Sequence, residues 1–320
     1  MSSFASVSRV SSRLEAVPSP GLALLGLALL NLVWGGSLPA TKLALLSFGP
    51  FSLAAARLVI AAVLFTVVLQ PRAILAVPGR DAWRMAGLGI IGFAGVQVLQ
   101  AIGAGLTSGA TATVMAVTSP LWIATLAPVL LREPARPLTI GGVVLAIGGV
   151  AVITAPGEML DQSLTGNGVV LLSAIAYALY TVFGKSLAQR YSPMLFCGVS
   201  CLGGAVASLP FAVYELASGV TPPLATSPLG WTLLLYLSVV VTFVGFAVWF
   251  WGLRALPAAQ AGGLMFLQPL SGLCLAIVVL GERPTPTFLV GCVLVLAGVY
   301  LATGAVRPKW RTSHVVQTRL

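Results

Sequence analysis

The chain has 320 residues, 58% hydrophobic and 8% charged, with a formal net charge of +10 and a mean hydropathy of +1.03. Soluble domains carry about 25% charged residues, so this composition excludes an ordinary soluble protein and places most of the surface in a lipid bilayer. At about 20 apolar residues per crossing helix, about eight to ten crossings use nearly the whole length, which leaves no room for a soluble catalytic domain.

Residues 1–20 form a Ser-rich, acid-poor leader with Arg9 and Arg13. It reads either as a cytoplasmic tail or as a segment with transit-peptide character; it has no apolar stretch separate from the first span, so a cleaved secretory signal is not expected. Continuous apolar runs then predict ten spans, near 21–41, 50–70, 84–104, 110–131, 138–155, 167–187, 193–214, 231–252, 258–280 and 287–304. Helices are expected because barrel strands alternate apolar and polar residues over about 10 positions, and these runs do not. The shortest join is Leu106, Thr107, Ser108 and Gly109, between the third and fourth spans. A linker is expected at 156–166 and a basic tail at 305–320. Cys197, Cys201, Cys274 and Cys292 lie in apolar stretches without metal-type spacing.

The basic residues give the sidedness. With the N-terminus inside, Arg9, Arg13, Arg72, Arg80, Arg84, Arg132, Arg136, Lys185, Arg190, Arg254, Arg307, Lys309, Arg311 and Arg319 fall on the inner side, and only Lys42 and Arg283 on the outer; Arg57 lies within a span. Basic loops face the cytoplasm, so both ends are expected there, and the surplus charge reports orientation rather than nucleic-acid binding.

Self-comparison shows a duplication. At an offset of 143, Trp34 meets Tyr177, Lys42 meets Lys185 and Pro50 meets Pro193; at 149, Pro120, Glu133, Pro137, Gly142 and Gly149 meet Pro269, Glu282, Pro286, Gly291 and Gly298. Residues 21–155 and 167–304 thus read as two five-helix copies. An odd helix count obliges the second copy to enter from the opposite side, giving an all-α membrane fold of two inverted repeats. Such repeats characterise secondary transporters, although duplication alone also yields a stable bundle.

The run Asn31-Leu32-Val33-Trp34-Gly35-Gly36-Ser37 with Lys42 and Pro50, then Arg57, then the segment from Pro120 to Leu130-Leu131-Arg132-Glu133 and its copy from Pro269 to Val279-Leu280-Gly281-Glu282-Arg283 resemble the drug/metabolite transporter superfamily, EamA type. The resemblance spans about 21–304. It implies a ten-helix, inner-membrane exporter or exchanger of small metabolites, often amino acids, working by alternating access. The chain departs from that pattern at Tyr177 in place of a second Trp34, at Ser200 in place of a second Arg57, and at Arg132-Glu133-Pro134.

Polar groups inside a membrane are costly and become site candidates. Arg57 lies about 10 Å inside the second span at about 1.5 Å per residue, where its guanidinium either holds a substrate carboxylate or snorkels and bonds neighbouring carbonyls. The resemblance extends to Arg57 whatever cargo is carried, which favours the structural role. Gln97 and Gln100 stand one turn apart. Thr118 and Ser119 precede Pro120, and Tyr177, Tyr180, Gln260 and Gln268 take comparable places in the second copy; Asn31 and Trp34 join them from the opening run. Singly, each Ser or Thr is better read as bonding its own helix. Pro120 and Pro269 are expected to interrupt corresponding helices near mid-membrane, and paired interruptions point to a transporter's site. Trp34, Tyr177, Trp249 and Trp251 are candidates for cavity walls, while Trp83 and Trp231 read as interface anchors.

No Asp, Glu or His falls mid-span, and no nucleotide-binding motif occurs. No cofactor or metal is expected. The partners expected are a small metabolite and the lipid bilayer, with a homodimer left open; a scaffold or channel, and an enzyme acting on lipid-linked substrates, are the competing classes.

Overall fold

Serine and proline set where the helices begin. In the computed structural model, which describes residues 17–131, 137–153, 163–219, 227–256, 258–281 and 283–304, the hydroxyls of Ser19, Ser108, Ser163 and Ser192 each accept a backbone N–H three residues on, at 3.0–3.4 Å. Pro20, Pro50, Pro71, Pro193 and Pro228 occupy first turns, where a missing N–H leaves no ladder bond unmade.

The first half runs α1 Pro20–Gly35, α2 Ser37–Ala44, α3 Pro50–Leu69, α4 Pro71–Leu75, α5 Gly79–Gly89, a π-helical turn Ile90–Gly95, α6 Val96–Leu106, α7 Gly109–Ala116, α8 Ser119–Leu131 and α9 Pro137–Ile153. The second runs α10 Leu164–Arg190, α11 Pro193–Ser218, α12 Pro228–Leu235, a π-helical turn Tyr236–Val244, α13 Gly245–Ala255, α14 Ala258–Gly263, a 3-10 turn Leu264–Phe266, α15 Leu267–Leu280 and α16 Pro286–Gly304. Six continuous or gently broken helices are long and apolar enough to cross a bilayer: Pro20–Ala44, Pro50–Leu69, Gly79–Leu106, Leu164–Arg190, Pro193–Ser218 and Pro228–Ala255. Helices also cover the four other expected spans, in shorter or interrupted pieces. The short join ends as it must: Thr107 is extended and Ser108 caps α7. α10 starts at Leu164 rather than 167, because Ser163 supplies the cap.

Two contacts across the halves carry the packing. α9 lies along α16 with backbone against backbone: a Cβ on Gly149 would sit 2.8 Å from the Gly291 carbonyl oxygen and 2.6 Å from Val295 N, and one on Gly298 would sit 2.6 Å from the Gly142 oxygen and 2.4 Å from Ala146 N. Shifted by the offset of 149, each set of partners becomes the other. This is the reciprocity of a two-fold contact. α3 packs along α11, and the end of α5 crosses α11 so closely that a Cβ on Gly89 would overlap the Ser200 carbonyl.

Polar contacts bind the helix ends. Gly49, at the N-cap of α3, has no side chain to offer, and the carboxylate of Glu215 from α11 does the capping. It accepts from Phe51 N at 3.3 Å, Ser52 N at 2.7 Å and the Ser52 hydroxyl at 2.6 Å, placing a negative charge at a helix N-terminus. Lys42 donates to the Thr107 carbonyl at 2.9 Å, and the Thr107 hydroxyl donates to Asn167 at 2.8 Å. At the other end, the Asp81 carboxylate accepts from the Tyr191 hydroxyl and pairs with Arg190 at 3.0 Å and Arg84 at 3.8 Å. The hydrogen bond to that carboxylate also pushes the Tyr191 hydroxyl above the ordinary tyrosine range. Each cluster joins residues expected from the charge pattern on the same side of the membrane.

Candidate functional site

Five interruptions in the helices just described border one small chamber. Its walls come from Trp34 and Ser37 on either side of the α1/α2 break, Arg57 of α3, and Val96, Gln97 and Gln100 directly after the first π turn. Ala116 and Ser119 flank the α7/α8 break, Tyr177 comes from α10, Val241 and Phe246 from the second π turn and its exit, and Met265 and Gln268 from the 3-10 turn and α15. Interrupted helices release backbone groups and redirect side chains, which is why π turns cluster at functional sites.

The second π turn shows how. Val241, within it, gives its carbonyl to the Trp34 indole N–H at 2.9 Å. Thr242 donates to Leu237 O, five residues back, at 2.8 Å, the spacing of a π turn, and accepts from Arg57 Nε at 2.6 Å. Arg57 is thereby held at 5% exposure on the chamber wall, and it does not snorkel. Across the chamber, Gln268 Nε2 donates to Asn31 Oδ1 at 2.7 Å, and Asn31 Nδ2 donates to Leu27 O at 2.7 Å, so Asn31 holds Gln268 from behind. The Oε1 of Gln97 is buried without a hydrogen-bond partner.

Trp34 is packed edge-on to Tyr177 at 6.2 Å and tilted against Phe246 at 5.5 Å and Trp249 at 5.7 Å between ring centroids. The rings of Trp34, Tyr177 and Phe246 give the chamber one apolar side. Its volume is about 50 Å³, room for about one or two water molecules at about 30 Å³ each. Small-molecule sites run to about 300–1,000 Å³, so the chamber as described is smaller than such a site.

Trp34, Arg57, Gln97, Gln100, Ser119, Tyr177 and Gln268, among the residues singled out from sequence, are brought together here. Others are not. Asn31 stands behind the wall. Thr118 turns back to Met115 O at 2.7 Å, as Ser119 does to Ala116 O at 2.6 Å, the self-bonding typical of Ser and Thr in helices. Tyr180 belongs to an aromatic core with Phe93, Phe196 and Phe250. Trp249 backs Trp34 from outside the chamber, and Trp251 packs over Gly26. Trp83 is 81% exposed and Trp231 46%. Pro120 sits in the first turn of α8, after the break at Val117 and Thr118, and Pro269 falls in the first turn of α15 after the 3-10 turn; each prolines a fresh start rather than a helix interior, where its ring would clash. The side chains of Gln260 and Pro269 lie outside the described residues.

Sequence reasoning missed Ser37, Thr242, Val241, Phe246 and Met265. Ser37 and Thr242 carried a signal, the first following Gly35-Gly36 and the second a lone hydroxyl in the apolar run 239–250. The apolar three carried none.

Comparison with known proteins supplies the family. The EamA-like transporter family profile matches residues 21–155 and again 164–304. An uncharacterized transporter of Archaeoglobus fulgidus is 28% identical over 283 residues, covering 87% of this chain and 96% of that one. A protein of Streptantibioticus cattleyicolor named a probable terminal-alkyne amino-acid exporter is 30% identical over 279 residues, covering 87% and 92%. One solved crystal structure superposes with a TM-score of 0.66 at 20% identity, over 90% of this chain and 98% of the other, a likeness of fold.

Proposed function

We propose, from the premise that this chain belongs to the EamA-like transporter family, that it exports or exchanges small metabolites such as amino acids by alternating access. It is a multi-pass integral membrane transporter, with the six long apolar helices already described. The finer reading has ten spans in two inverted five-helix repeats, both termini in the cytoplasm, in a bacterial inner membrane. The observation that carries it is the convergence of helix interruptions from both halves, with polar side chains from both, on one small chamber. Two related halves around a shared site give two related states, one open to each side. The reciprocal Gly149/Gly298 contact and the same-side grouping of the Glu215, Lys42 and Asp81 clusters support the inversion. The similarity to a named amino-acid exporter supports the cargo class.

Purified protein in proteoliposomes is expected to exchange labelled amino acids or related metabolites, and inertness toward a broad panel would sink the reading. Single cysteines at Trp34 and Tyr177 are expected to label from one side at a time; labelling from both sides at once would mean a pore.

A further inference from the structure

We infer that the chamber recognises its cargo by a carboxylate, which Arg57 neutralises, and by an N–H that Gln97 accepts, and that a positive charge on the cargo is not required. This rests on the transporter reading and names the chemistry of that same site. Arg57 is 5% exposed, and among the described residues no acidic side chain lines the chamber and Arg57 has no ion-pair partner. Its Nε is engaged by Thr242, so the edge formed by its two terminal nitrogens is the part of the fork left for a ligand. Two parallel N–H donors match a carboxylate.

A buried charge without a counter-charge is costly. A cargo that brings one negative charge removes that cost, and a cargo that brings only a positive charge adds to it. The remaining polar side chains of the described wall, Ser37, Gln97, Gln100, Ser119, Tyr177 and Gln268, are all neutral, so an ammonium group would find acceptors but no opposite charge there. The Oε1 of Gln97, with Gln97 3% exposed, has no partner and takes an N–H from an amide as well as from an ammonium. Trp34, Phe246, Met265 and the ring of Tyr177 leave an apolar side for the rest of the molecule.

The test uses full-length protein in proteoliposomes and matched quartets: leucine, N-acetyl-leucine, leucinamide and isoamylamine, with the corresponding sets built on alanine and phenylalanine. Binding is read by ligand-induced thermal stabilisation and movement by counterflow. The two acids of a quartet are expected to bind at least about tenfold more tightly than the amide and the amine, the scale of a charge-assisted hydrogen bond, with the acetylated acid no weaker than its parent. Arg57→Lys, which keeps the charge and loses the fork, is expected to weaken the acids by a similar factor and leave the amines unchanged. Thr242→Val, which leaves the guanidinium but releases its Nε, keeps the question open to decision if Arg57→Lys misfolds; it is expected to weaken the acids alone. Amides or amines that bind as well as acids would overturn the inference, as would acids bound normally by a folded Arg57→Lys protein. Transport of neutral or cationic metabolites without any acid overturns the inference and leaves the transporter reading standing. A folded wild-type protein that binds and moves nothing overturns both.

Discussion

The α9/α16 seam and the chamber are built from the same duplicated sequence and use it in opposite ways. At the seam, glycines bring two backbones within contact distance, and the space a methyl group would need is already taken by carbonyl oxygens and amide nitrogens. At the chamber, the helices are broken or widened, polar side chains from both halves face one another, and an amide oxygen is left without a partner. Close packing leaves the first region no room for a side chain, and missing partners are the reason the second is proposed as the place for a ligand. The difference separates residues that hold the two halves together from residues that act between them.

That contrast can be broken most forcefully at the seam. Gly298→Leu should destabilise by an amount at or above the upper end of the range of about 1–3 kcal/mol typical of overpacking, because its Cβ meets backbone rather than a movable side chain. Thermal unfolding in detergent checks it, and an unchanged Tm would mean the joint is slack. Gln97→Leu should do the reverse, lowering transport roughly tenfold, the scale of one hydrogen bond to a charged or polar ligand, while Tm stays near wild type. A large fall in Tm with normal residual transport would assign Gln97 to the framework.

Two changes at the helix ends sharpen the picture with smaller effects. Glu215→Gln keeps the shape but loses the charge at the α3 N-terminus and one acceptor, at a cost of about 1 kcal/mol, readable as a modest fall in Tm. Asp81→Asn should have the least effect on Tm, because Arg84 and Arg190 are 55% and 67% exposed and water and salt screen such pairs. A larger loss than for Glu215→Gln would show that the Asp81 cluster contributes more to the framework than its exposed partners suggest.

Much of the helix pattern could be read beforehand because its causes are local. Long apolar runs mark the helices, and Pro50 and Pro193 stand where two expected spans begin, whereas the start of α10 at Leu164, set by the Ser163 hydroxyl, lies three residues ahead of its expected place. The chamber was legible where a polar residue stood against an apolar background, as with Arg57, Gln97 and Gln268. It was not legible at Val241, Phe246 and Met265, which differ from their neighbours only in the direction they face. That direction depends on the two π turns, and nothing in Ile90–Gly95 or Tyr236–Val244 distinguishes a five-residue from a four-residue hydrogen-bond step. Asn31 and Tyr180 show the same limit from the other side, since both are polar and buried but one supports a neighbour's amide and the other fills an aromatic core.

The π turns also change how such a helix can move. Each holds surplus residue length relative to the α-helix on either side. If the surplus passes along the helix by one position, the residue it passes swings by about 100°, the angular step of an α-helix, while the ends stay anchored. Val241 and Thr242, which grip Trp34 and Arg57, ride on such a turn. Relocating it would release an indole and a guanidinium in a single step, with no hinge loop and no unwinding.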